Sequence, residues 1–337
     1  MKAYIYNGPK NVEMKELPMP TCDDNGVVIK NIYASICGSD AFAWNYDGSS
    51  NMIFPGLEFG HEMVGEVVQV GKNVQGIELG DRLFPVPAFA KNDMMRAATV
   101  GGFSEYVELP NCTLNHSVYK VSDKISSKVA SLIEPFTVGC NAVQRIGNIE
   151  AGKGAIVFGA GPIGLASALT LKYLGCKVVV VDLMANRLEI AKELGLEVCN
   201  VSTENYAERC GEILGKIPGM FGGFSIDADY YVDAAGNQAV IDNYFSAAKG
   251  YSTLSIVAVH HHPITLNMIP LTYNGLRIIG PGGGFGDDVR LVLEMFESGQ
   301  FDIEKLISHV YPHDQFVEAL QKACDTSEAL KVVIEYK

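Results

Sequence analysis

Apolar and polar residues alternate in short runs over the first 136 residues. Residues 26–32 (GVVIKNI) and 64–71 (VGEVVQVG) are of this kind, and Gly80-Asp81-Arg82 and Gly101-Gly102 punctuate them. A period of two marks strands with one buried face, so this stretch predicts an all-β barrel or sandwich. From about residue 140 to 279 the pattern changes. Residues 155–158 form a short apolar run, and Ile163, Ala166, Leu169 and Tyr173 follow at helical spacing. The run 177–182 (KVVVVD) is too apolar for a one-sided strand and fits one covered on both faces. Residues 187–194 read as the next helix, stopped by Gly195, and further strands fall at 230–234 and 254–259. Strand and helix in alternation predict a doubly wound parallel sheet, hence an α/β class. Beyond Pro281 a glycine-rich segment leads into helices over 287–297 and 316–323 and a last strand over 331–336. That strand has no place in the α/β part and is expected to return to the β part.

Composition narrows the field. A chain of 337 residues is enough for about two domains. A net charge of −13 with no Lys/Arg cluster argues against nucleic acid and against an anionic membrane surface. Residues 154–171 form an 18-residue uncharged run, but four glycines and Pro162 suit a strand–turn–helix better than a membrane span. The N-terminus has no apolar leader-like run. The 8 cysteines are widely spaced with no C-x-x-C, which argues against a disulfide framework and for the reducing cytoplasm.

Two stretches carry chemistry. Gly159-Ala160-Gly161-Pro162-Ile163-Gly164 matches G-x-G-x-x-G between a predicted strand and a predicted helix. Such a turn lets backbone meet a pyrophosphate, with the helix N-terminus supplying N–H groups. Asp182 ends the next strand, where a carboxylate accepts ribose hydroxyls and repels a 2′-phosphate. Gly159, Gly161, Pro162, Ile163, Gly164 and Asp182 are therefore candidate cofactor residues. Arg187 is a candidate phosphate partner, with the solvent face of its helix as the alternative. NAD is expected over NADP. The second stretch holds Cys37-Gly38-Ser39-Asp40 and Gly60-His61-Glu62, whose thiolate, imidazole and carboxylate suit zinc.

Gly60-His61-Glu62, followed by Val64-Gly65-Glu66-Val67 and Gly80-Asp81-Arg82, resembles the zinc-dependent medium-chain dehydrogenase/reductase family. Cys37-Gly38-Ser39-Asp40 matches its cysteine ligand motif. Ile133-Glu134-Pro135-Phe136-Thr137-Val138-Gly139 matches a second metal-site segment in its polyol dehydrogenase version. The likeness covers nearly the whole chain and is nearest the sorbitol, butanediol and threonine dehydrogenase branch. It implies a GroES-like β-rich catalytic domain (1–138 and 282–337) with a Rossmann NAD-binding domain (139–281) inserted. It implies one catalytic zinc on Cys37 and His61, with Glu62 and Glu134 as acidic positions, either of which could be the direct ligand. It gives Ser39 a proton-relay role, the plain alternative being a loop hydroxyl. The implied reaction is hydride transfer between NAD(H) and a small secondary alcohol or ketone, expected to be a polyol, diol or sugar-derived compound. Homo-oligomers are implied as well, tetramer before dimer, built through a Rossmann edge strand for which 254–259 is the candidate.

The chain also departs from the family. Phe42 stands where many members complete the relay with histidine. Residues 83–96 lack the four cysteines of a structural zinc, so a single zinc is expected. His260-His261-His262 resembles a metal tract but is expected to end a strand near the nicotinamide or a subunit contact. His116, His309 and His313 are expected on the surface or in the core. Trp44, Tyr46 and Phe54 are candidates for a substrate pocket, or for packing. Arg96 and Lys91 are the nearby cations a phosphorylated substrate could use. The rival readings are a zinc-free quinone or enoyl reductase and a non-catalytic NAD-binding protein on the same scaffold.

Overall fold

The computed structural model describes residues 1–90, 93–220, 222–284 and 286–337, without the side chain of Ser50. The chain divides into two compact units, Met1–Glu134 with Ile303–Lys337, and Pro135–Asp302. No helix among the described residues is long and apolar enough to cross a membrane.

The first unit is β-rich, as the period-two pattern requires. Its larger sheet runs in the order Ile307–Pro312, Lys331–Glu335, Val27–Ser35, Glu62–Val70, Arg82–Pro85, Val118–Lys120, with Tyr106–Leu109 also on Val27–Ser35. A smaller sheet joins Asn11–Glu16, Lys2–Gly8 and Leu57–Glu58. The last strand does return to the β part: Val333 and Ile334 pair antiparallel with Ser35 and Ala34. Aromatic rings fill the core. Phe103 and Phe316 lie 4.4 Å apart, and Phe59 meets Phe103 edge-on at 4.9 Å. Trp44 is buried in this core, so it packs; Tyr46 is exposed. Arg96 is paired with the buried carboxylate of Glu58, and Lys91 lies outside the described residues.

The second unit is a six-stranded parallel sheet. Its order is Glu197–Asn200, Lys177–Asp182, Gly154–Phe158, Tyr230–Asp233, Thr253–Ile256, Arg277–Ile279. Numbered along the chain this is 3-2-1-4-5-6, the doubly wound arrangement whose strand order reverses beside the first strand. The all-apolar strands have a physical reason: every residue of Gly154–Phe158 is buried. One expectation fails here. The segment 254–259 is not an edge, because Thr253–Ile256 pairs with Tyr230–Asp233 on one side and Arg277–Ile279 on the other.

The unit boundaries fall at 134/135 and 302/303, against the expected 138/139 and 281/282. The second difference is the larger and has a packing cause. The helix Gly286–Ser298 lies on the helix Ile133–Gln144. Phe136 and Phe296 meet edge-on at 4.8 Å, and Asn141 Nδ2 donates to the carbonyls of Pro281 and Gly282. Residues 281–298 therefore belong with the parallel sheet.

His313 is buried against Tyr4 and Tyr336, its Nε2 3.0 Å from the Phe103 carbonyl. Burial lowers its pKa below the usual 6.5, partly offset by that carbonyl. As pH falls through about 6.5 the unfolded chain gains this proton before the folded one does, so His313 costs stability on the acid side. A His313→Phe variant should lose less stability between pH 7 and 5.5 than the native chain, read from urea midpoints. An unchanged pH slope would contradict this assignment.

Candidate metal and dinucleotide sites

Cys37 lies at the turn between the strand Val27–Ser35 and the helix Gly38–Asn45. Glu62 opens the strand Glu62–Val70, and His61 precedes it. The two strands run antiparallel with Ser35 opposite Glu62. The end of one therefore lies beside the start of the other, and residues far apart in sequence converge. The Cys37 sulfur, a His61 ring nitrogen and a Glu62 carboxylate oxygen lie within 4.8 Å of one another. Among the described residues this is the one such group of three or more metal-ligating side chains.

The surroundings suit a cation. Asp40 is fully buried; its Oδ2 accepts the Cys37 N–H at 2.9 Å, and its Oδ1 has no partner. Burial pushes the Asp40 carboxyl up to about 6, with His61 pulling the other way. Burial likewise pushes Glu134 up to about 7, against attraction from His61. For His61, burial opposes charge, but Cys37, Asp40 and Glu134 outweigh it and hold the imidazole well above its usual range. Negative groups thus gather around one imidazole, as they would around a divalent ion. A cysteine sulfur, an imidazole and a carboxylate are a donor set that fits catalytic zinc, which takes three protein ligands and keeps its fourth position open. Glu134 acts on the same group electrostatically but lies outside the three-member set. Ser39 Oγ is buried without a partner, unlike a loop hydroxyl bonded to its own backbone.

Lys331 is what sequence reading missed. It opens the last strand, and its Nζ lies 2.5 Å from Glu62 Oε2 and 3.0 Å from the Ile36 carbonyl. Both partners are out of water, at 4% and 1% exposure. Burial works against the Lys331 charge, but Glu62 and Cys37 more than restore it. Ser35 Oγ donates to the same Glu62 oxygen. The available signal was slight: a lysine heading an otherwise apolar strand. Asp40 lies within the Cys37-Gly38-Ser39-Asp40 motif, and its burial is not visible in the sequence.

In the second unit the helix Pro162–Tyr173 begins at Gly161 with no side-chain cap, so its first N–H groups are left for a ligand. A Cβ on Gly164 would lie 1.8 Å from the Gly159 carbonyl, so only glycine lets the helix sit this close to its strand. A Cβ on Gly161 would meet only Arg187 Nη1, at 3.9 Å, which leaves this side of the turn open and puts Arg187 next to it. Asp182 Oδ2 accepts the Ala160 N–H at 2.6 Å, and Oδ1 accepts that of Met184 at 2.8 Å. A pocket of about 130 Å³ beside it is lined by Phe158, Gly159, Asp182, Val201 and Ala239 among others. These groups fit a dinucleotide whose adenosine ribose lies on Asp182.

Known proteins agree on the family. Residues 23–123 match the alcohol dehydrogenase GroES-like domain, and residues 162–298 match the zinc-binding dehydrogenase family. Rat (Rattus norvegicus) sorbitol dehydrogenase is 27% identical, the match covering 99% of this chain and 95% of that protein. L-galactonate-5-dehydrogenase of Escherichia coli strain K12 is also 27% identical, covering 100% and 99%. The crystal structure of 2R,3R-butanediol dehydrogenase from Bacillus subtilis superposes with a TM-score of 0.84 at 25% identity, covering 99% of each chain. The chain belongs to the zinc-type medium-chain alcohol dehydrogenases. Like the family, this dehydrogenase is an oxidoreductase that uses zinc and NAD.

Within the dehydrogenase, Lys331→Met would leave Glu62 buried and unpaired. The expected cost is about 3–5 kcal/mol in urea unfolding of the zinc-free protein, with Lys331→Arg retaining most of the stability. A loss below about 1 kcal/mol would mean that water reaches the pair.

Proposed function

We propose that the enzyme moves hydride between NAD(H) and a secondary alcohol or ketone of a polyol, diol or sugar-derived substrate. The observation that carries this is the convergence of Cys37, His61 and Glu62 beside the orphaned hydroxyl of Ser39. Cys37, His61 and Glu62 would hold the metal, with Glu134 as the second acidic position. Zinc supplies Lewis acidity toward an alcohol or carbonyl oxygen. Lys331 and Ser35 hold one Glu62 oxygen and so restrict how its carboxylate turns. Ser39 Oγ takes the proton that the substrate hydroxyl gives up. Phe42 has no exchangeable proton to pass it on, which leaves water to do so. Gly159, Gly161, Pro162, Ile163 and Gly164 carry the pyrophosphate, Arg187 adds charge beside it, and Asp182 takes the ribose hydroxyls.

Relatives named for sorbitol, L-galactonate and 2R,3R-butanediol support the substrate class. A phosphorylated substrate fits less well, since Arg96 is committed to Glu58. The absence of cysteine from 83–96 supports a single zinc per chain. Eight free cysteines support a reducing cytoplasmic setting, and net charge −13 supports a protein that binds neither nucleic acid nor membrane. A homo-oligomer, tetramer before dimer, completes the reading.

A chelator should abolish NAD reduction with a polyol or diol panel, and zinc should restore it at about one ion per chain by elemental analysis. Activity that survives metal removal would favour a zinc-free reductase. Cys37→Ala should bind NADH yet lose more than about 100-fold in turnover, since even groups behind a ligand cost that much. Full turnover in that variant would sink the ligand assignment. Asp182→Ala should raise the NADPH/NADH preference at least about tenfold, equivalent to about 1.4 kcal/mol.

A further inference from the structure

The C-terminal end of the parallel sheet holds a buried carboxylate paired with an imidazole. Asp233 ends the strand Tyr230–Asp233 and is fully buried. Its Oδ1 accepts the N–H groups of Ala235 at 3.0 Å and Gly236 at 2.8 Å. Its Oδ2 lies 2.8 Å from His260 Nε2. Its main-chain carbonyl accepts the N–H groups of Val257 and Ala258. One residue therefore ties together the two loops that leave adjacent strands. They are held close: Gly236 adopts φ +72°, and a Cβ there would stand 3.1 Å from both Ala258 Cβ and the Val259 carbonyl.

This arrangement sets the chemistry of the His260 ring. A carboxylate only accepts, so Nε2 carries the proton and donates it. In the neutral ring Nδ1 is then a bare acceptor. It is buried and has no partner. His261 and His262 are exposed. His260 is spent on Asp233, and its free nitrogen awaits a donor.

The fold says which donor passes there. The inference rests on the proposed placement of the pyrophosphate at Gly159–Gly164 and of the ribose at Asp182. The Asp182 strand flanks the glycine-turn strand on one side, and the Asp233 strand flanks it on the other. A dinucleotide with its adenosine toward Asp182 crosses the turn and lays its other half over the loops after Tyr230–Asp233 and Thr253–Ile256. That half ends in a carboxamide, whose N–H is the donor a bare imidazole nitrogen lacks. We infer that His260, held by Asp233, positions the nicotinamide by accepting a hydrogen bond from its carboxamide N–H at Nδ1.

The test compares binding constants of the zinc-loaded enzyme for NADH, NAD, ADP-ribose and the deamido analogue of NAD, in which a carboxylate replaces the carboxamide. His260→Ala should weaken NADH about tenfold while ADP-ribose, which lacks the nicotinamide, stays within about twofold. The native enzyme should prefer NAD to the deamido analogue, and the variant should lose that preference. His260→Asn, which keeps an acceptor oxygen, should recover part of the NADH affinity. Equal losses for NADH and ADP-ribose would show a mere loop brace and overturn the inference, as would no loss for either. Failure of the native enzyme to bind ADP-ribose would instead overturn the dinucleotide placement beneath it.

Discussion

The Lys331–Glu62 ion pair is the constraint on which the metal end of this enzyme depends. Two charges taken out of water are tolerable only together, and in good geometry. Lys331 opens the last strand of the chain; Glu62 opens a strand near its beginning. They meet where the C-terminal strand runs beside Val27–Ser35, and Ser35 joins on the same carboxylate oxygen. The antiparallel ladder between Val27–Ser35 and Glu62–Val70 sets the end of the first against the start of the second. Cys37 and His61 are carried into reach of one another as a consequence. The apolar core, with Phe59, Phe103 and Phe316 in contact, supplies the driving force, but burial has no direction. The ion pair does.

The dinucleotide half uses carboxylates in a comparable way. Asp182 binds N–H groups from the turns after the first and second strands, Ala160 and Met184. Asp233 takes N–H groups of the turn after the fourth strand on its carboxylate, which also meets His260, and those of the turn after the fifth on its main-chain carbonyl. Each sits at the C-terminal end of a parallel strand, where turns leave N–H groups without ladder partners. An acceptor-only side chain satisfies several of them at once and holds two turns at fixed spacing. The rim at the C-terminal end of the sheet is thus braced by these bonds.

Much of this was legible in the chain. Period-two alternation marked the β unit, and the KVVVVD run marked a strand covered on both faces. G-x-G-x-x-G with Asp182 after it marked the turn, because steric demands on glycine are local. Cys37, His61 and Glu62 were legible as donor types. Other features were not. The helix Gly286–Ser298 reads as amphipathic from its residues, but which unit it covers depends on Phe136 and Asn141, far back in the chain. The segment 254–259 reads as a strand, while its place inside the sheet depends on the pairing of Arg277–Ile279.

What the sequence alone determined is therefore what short-range physics controls: the strand and helix periods, the glycine turn, the kinds of donor atom and the acidic balance. What only the tertiary structure decided is which of those atoms meet. Lys331 became a partner of Glu62, and His260 of Asp233, through strand order and register. Those are set by the sum of many weak contacts between distant segments. No local pattern records them, because each segment would form its strand equally well beside another neighbour.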